Sequence, residues 1–67
     1  MDGELIELAE KLIMRKDFFN VSDSNEIIEA FESSLSTEEV KRSTFNHILS
    51  NFNWSVSAKA YFKSKAL

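Results

Sequence analysis

Residues 3–19 read GELIELAEKLIMRKDFF, and the spacing within this stretch decides the fold class. At about 100° per residue, Leu5, Ile6, Leu8, Ala9, Leu12 and Ile13 fall within an arc of about 160°. Glu4, Glu7, Glu10, Lys11 and Arg15 fill the other side. Glu7 stands i,i+4 to Lys11, a pairing worth about 0.3 kcal/mol on an isolated helix. The pattern predicts a first helix over 3–19 with one face to bury.

Beyond it the chain offers few breakers. It has no proline, and Gly3 is its only glycine, so the remaining boundaries are read from capping residues. Asn20-Val21-Ser22-Asp23-Ser24-Asn25 is a turn built of them, and Asp23 with Glu26 three residues later resembles a capping box. A second helix over 24–34 follows, with Ile27, Ile28, Phe31 and Leu35 on one face. Ser36-Thr37-Glu38-Glu39 is a box of the Ser-x-x-Glu type and opens a third helix over 37–52. Its apolar face is Phe45, Ile48, Leu49 and Phe52, with Val40 at the margin. Ser55 is an N-cap for a fourth helix over 56–66. The expected architecture is all-α: a small compact bundle of four short helices, with residues 1–67 forming a single domain.

Size and composition bound what such a bundle does. With 43% apolar residues and 28% charged, the chain has the means to collapse. A domain this small buries only about 60% of its unfolded surface, so its margin over conformational entropy is narrow. Disulfides, thiolate catalysis and thiolate zinc sites are all excluded, because there is no cysteine. Met1-Asp2-Gly3-Glu4 lacks a basic start, and the longest apolar run is Leu12-Ile13-Met14. No secretory signal or membrane span is therefore expected, which makes the cytoplasm the default compartment.

Catalytic chemistry finds little support. Glycine-rich phosphate loops need several glycines, and the single His47 falls on the polar side of the third helix. Glu26 and Glu29 lie opposite Ile27 and Phe31, pointing to solvent rather than toward a shared metal. Asp23-Ser24-Asn25 begins like a calcium loop but lacks the required glycine and the twelfth-position glutamate. The sequence therefore predicts no enzyme, no cofactor, no metal and no small-molecule substrate.

Charge placement is the informative feature. Residues 1–39 hold all eleven acids and only Lys11, Arg15 and Lys16, a net of −8. Residues 40–67 hold five bases and no acid, a net of +5, so the overall −3 conceals a split. Asp23, Glu26, Glu29 and Glu32 make the second helix acidic, and Lys59, Lys63 and Lys65 make the end of the chain basic. Glu38 and Arg42 are spaced to pair within the third helix.

The fourth helix carries two apolar strips. Val56, Ala60 and Leu67 lie on one side, and Ala58, Phe62 and Ala66 nearly opposite. One strip suffices for a core, so the other is expected to meet a partner. The expected docking surface combines Trp54, Tyr61, Phe62 and Ala66 with Lys59 and Lys63, or with the acidic face Asp23, Glu26, Glu29 and Glu32.

The function these features favour is a small regulatory or adaptor protein that binds a protein partner, with homodimerisation through the fourth helix covering the surplus strip. Two alternatives stand beside it. The helix ending at Phe52, the Asn53-Trp54-Ser55 link and the Val56-Ser57-Ala58 start look like part of a helix-turn-helix, which would set Lys59 and Lys63 on nucleic-acid phosphates in a transcriptional regulator. The acidic helix instead suits an inhibitor that mimics nucleic acid.

Overall fold

Each helix begins where a side chain satisfies its first amides. The computed structural model describes residues 1–65 and contains α1 (Gly3–Ile13), α2 (Val21–Ser33), α3 (Glu38–Asn51) and α4 (Val56–Ser64). Asp2, Asn20, Thr37 and Ser55 are the respective N-caps. Two of these differ from the sequence reading. In α2 the cap is Asn20, and Asp23 is the third helical residue, whose carboxylate accepts from the Asn20 amide at 2.9 Å while the Asn20 side chain accepts from the Asp23 amide at 2.9 Å. In α3 the cap is Thr37, because the Ser36 hydroxyl is engaged elsewhere, donating to Asp2.

The larger correction concerns residues 14–19. Helix α1 stops at Ile13, and Phe19 pairs as a short parallel bridge with Trp54. The Phe19 amide donates to the Asn53 carbonyl at 2.9 Å, and the Ser55 amide donates to the Phe19 carbonyl at 3.0 Å. The α1–α2 link is thereby zipped to the α3–α4 link. Ending α1 at Ile13 leaves Phe19 in extended chain, where it reaches Trp54 and its side chain is fully buried.

Helix α2 packs against α1 and α4, and α1 also packs against α3. Small residues set the α2–α4 approach: Ser24 and Ala58 are both 0% exposed, and the Ser24 hydroxyl donates to the Ala58 carbonyl at 3.0 Å. The centre of the core is aromatic. Phe62 lies parallel to Phe45 at 4.2 Å and nearly so to Trp54 at 4.6 Å, so it is sandwiched between them. Phe31 meets it edge-on at 6.2 Å. The radius of gyration, 10.7 Å, is close to the roughly 11 Å of a globule this long, so no helix stands detached.

Leu35 does not join the core. It is 102% exposed, because α2 ends at Ser33 and the chain turns extended at Ser34 before the expected fourth contact of the stripe.

The other end of the bundle is held by Asp2. One carboxylate oxygen caps α1 through the Glu4 and Leu5 amides, and the other accepts from Ser34 at 2.8 Å and Ser36 at 2.6 Å. Its own amide donates to the buried Thr44 hydroxyl at 2.8 Å. The Ser36 hydroxyl first, then that of Ser34, hold the Asp2 carboxyl below its ordinary range, against a smaller opposing effect of burial and with help from the two amides. An unfolded aspartate titrates near pH 3.9. A depressed folded value therefore contributes stability that is complete above about pH 4 and is lost as pH falls through the folded value. Asp2→Asn keeps a capping oxygen but removes the charge. Thermal melts are expected to place it about 0.5–1 kcal/mol below the parent at neutral pH, with the gap closing below about pH 4. A gap that stays constant into acid would show that the charge contributes nothing.

Candidate functional site: the outer faces of the bundle

The predicted docking residues separate in space. Phe62 is 0% exposed and Ala58 equally so, which makes that strip the core rather than a partner surface. The exposed strip is the other one, with Val56 at 90% and Ala60 also exposed. The physical reason is the approach of α2: it needs a small residue at the crossing and a large one behind it, and Ala58 and Phe62 supply both. The surplus strip of α4 is thus Val56 with Ala60 rather than the Phe62 side.

Trp54 is half-buried, with its indole N–H donating to the Ile48 carbonyl at 3.3 Å and its ring against Phe62 and Phe19. It closes the core over the link. Tyr61 is half-buried on the α2 side, its hydroxyl donating to Asn25 at 3.2 Å, and Lys65 lies over its ring at 5.8 Å. Lys59 and Lys63 are exposed. Each is two residues from Tyr61 and so turned about 160° away from it, hence away from α2. Ala66 lies outside the described residues.

Asp23 leaves the acidic face. It is 4% exposed, caps the Asn20 amide and pairs with Lys16, whose side chain is 37% exposed. Glu26, Glu29 and Glu32 remain exposed on α2. On the neighbouring α1, Glu4, Glu7 and Glu10 are exposed at the same i,i+3 spacing. The ion pair between Lys16 and Asp23 is the one salt bridge among the described residues. The expected pairs Glu7–Lys11 and Glu38–Arg42 are not formed. Ordering two long exposed side chains costs about as much as such a pair returns.

The stripes of α2 and α4 therefore do not neutralise each other, although the helices touch. Six unpaired glutamates line the outer sides of α1 and α2, while Lys59 and Lys63 look outward from the far side of α4. In the α3–α4 unit, α4 packs chiefly on α2 and the link runs beside Phe19.

An open groove of about 1160 Å³ runs between the start of α1 and the end of α2, lined by Asp2, Glu4, Leu5, Ala30, Ser34 and Leu35. A crevice of about 80 Å³ between α2, α3 and α4 has Ile28, Phe31, Phe45 and Phe62 as its floor and Glu32, Lys41 and Lys65 at its mouth. Small-molecule pockets are several-fold larger, about 300–1,000 Å³. Among the described residues no group of three or more His, Asp or Glu side chains is placed to hold a metal ion, and no helix is long and apolar enough to cross a membrane. Half-buried His47 lies on α3 beside Asn51, whose amide donates to the His47 carbonyl at 2.8 Å.

The sequence reading confines the acidic face to α2, whereas the structure adds the exposed Glu4, Glu7 and Glu10 of α1. The signal was present: Glu4, Glu7 and Glu10 share the spacing of Glu26, Glu29 and Glu32. The fold and its faces define a class, a small all-α bundle with a divided surface charge. Compared with models of protein families, with curated proteins and with solved structures, the chain has no match.

Proposed function

We propose that this protein is a non-enzymatic regulatory or adaptor protein that docks the acidic α1–α2 side onto a basic surface of a protein partner. The observation that carries the reading is the set of six exposed glutamates, Glu4, Glu7, Glu10, Glu26, Glu29 and Glu32, none of them in an ion pair. Glutamates spaced i,i+3 along one helix repel one another, and a basic partner relieves that repulsion on docking. Such a surface speeds encounter and selects partners more than it adds affinity. A partner whose basic surface otherwise takes nucleic acid is one version of this reading. Direct nucleic-acid binding through Lys59 and Lys63 is the second reading, supported by their exposure and their freedom from the acids of α2.

The test uses the full chain immobilised and incubated with host extract at low and high salt. A captured species is expected to be lost at high salt and in Glu26→Lys/Glu29→Lys/Glu32→Lys, and kept in Lys59→Ala/Lys63→Ala. Capture that depends on the lysines instead, with a DNA or RNA shift at low salt, would transfer the function to α4. No variant-sensitive capture at all would remove the docking reading.

A further inference from the structure

The bridge that zips the two links together also assembles an apolar patch, which the acidic face does not use. We infer that this end of the bundle is a contact surface for a second copy of the chain. The Phe19–Trp54 bridge and the hydrogen bond from Ser24 to the Ala58 carbonyl put the first turns of α2 and α4, which begin at Val21 and Val56, side by side. Phe19 points into the core, so Phe18 points out, and it is 52% exposed, with Val21 at 42% and Val56 at 90%. The patch stands on fixed backbone, since both the amide and the carbonyl of Phe19 are engaged. A partly exposed aromatic anchored beside a buried neighbour, within a polar surround, is the pattern of an interaction site rather than of scattered surface apolar residues.

Charge chooses the occupant. A two-fold contact sets a surface against itself, so each face must tolerate its own copy. The α1–α2 side would bring glutamate against glutamate, and the outer side of α4 would bring lysine against lysine. The zipped end escapes this. Its exposed polar neighbours Asn20, Ser22, Asn53 and Ser57 are uncharged. The nearest exposed charges in sequence, Asp17 and Lys59, are opposite in sign. Lys16 is spent on Asp23. A second copy is also what a domain with so thin a core gains most from. The contact leaves the acidic faces free, so a dimer presents two of them.

Sedimentation equilibrium of the full chain, loaded up to about 1 mM, reads the association. A monomer–dimer equilibrium is expected, and Val56→Asp is expected to weaken it at least tenfold. That substitution puts an acid in the first turn of α4, which the helix dipole favours, so the dilute protein is expected to melt no lower than the parent. Leu35→Asp, at an exposed apolar residue outside the patch, is expected to leave the dimer unchanged. A strict monomer at the highest loading overturns the inference. So does a dimer indifferent to Val56→Asp or one abolished by Leu35→Asp.

Discussion

Phe62→Ala is expected to abolish cooperative folding at room temperature. Phe62 touches three other rings, Phe45, Trp54 and Phe31, and is completely buried. Removing a buried phenylalanine costs about 3–5 kcal/mol, the lost transfer energy plus the cavity left behind. At about 0.05–0.15 kcal/mol per residue, 67 residues hold only about 3–10 kcal/mol in total. The substitution therefore consumes most of the margin, and collapse of neighbouring rings into the gap is hindered because Trp54 is tied to Ile48 and to the Phe19 link. Phe62→Leu keeps much of the volume and is expected to fold with a lower midpoint. Urea titrations followed by circular dichroism and Trp54 fluorescence decide the matter. A Phe62→Ala protein that melts cooperatively within about 1 kcal/mol of the parent would show that the stack is not the centre of the core.

The second large effect is expected at Asp23. Asp23→Ala removes one half of the capping box and the partner of Lys16, and is expected to cost about 2 kcal/mol. Lys16→Met acts differently, because it leaves a carboxylate at 4% exposure with only the Asn20 amide and nearby dipoles to hold it. Stranding a buried charge is costly in its own right. The double variant is therefore expected to lose about 1–2 kcal/mol less than the two single losses combined. Additive losses in denaturant titrations would mean that the pair is a surface accident. A coupled loss would mark it as what holds the first half of the α1–α2 link against α2.

Helix count, helix starts and the acidic character of α2 were legible from local rules. Ser55 capping α4 was read directly, and Thr37 and Asn20 lay within a few residues of the expected caps, since Ser, Thr, Asn and Asp compete for this position on nearly equal terms. What local rules missed were the places where two distant segments choose each other. Met14, Arg15 and Lys16 are good helix formers, and nothing local stops α1 at Ile13. The stop comes from Phe19, which gains more by burial beside Trp54 and two backbone bonds than by one more turn of helix. Leu35 matched the apolar spacing of α2, yet spacing cannot say that the helix ends before reaching it.

The docking surface divides along the same line. Which residues carry charge is a property of the sequence, and the i,i+3 spacing of the glutamates puts them on outer faces once the apolar residues are turned inward. Which apolar strip of α4 is covered is not, because Ala58 with Phe62 and Val56 with Ala60 are near-equivalent by periodicity. The choice rests on α2 approaching closely at Ser24 and on three rings converging around Phe62. By itself the sequence determined an all-helical chain with an acidic first half and a basic second half. Only the tertiary structure decided that these halves turn their charges outward instead of toward each other, since hydrophobic burial oriented α2 and α4 by their small and aromatic residues and left the charges wherever that packing put them.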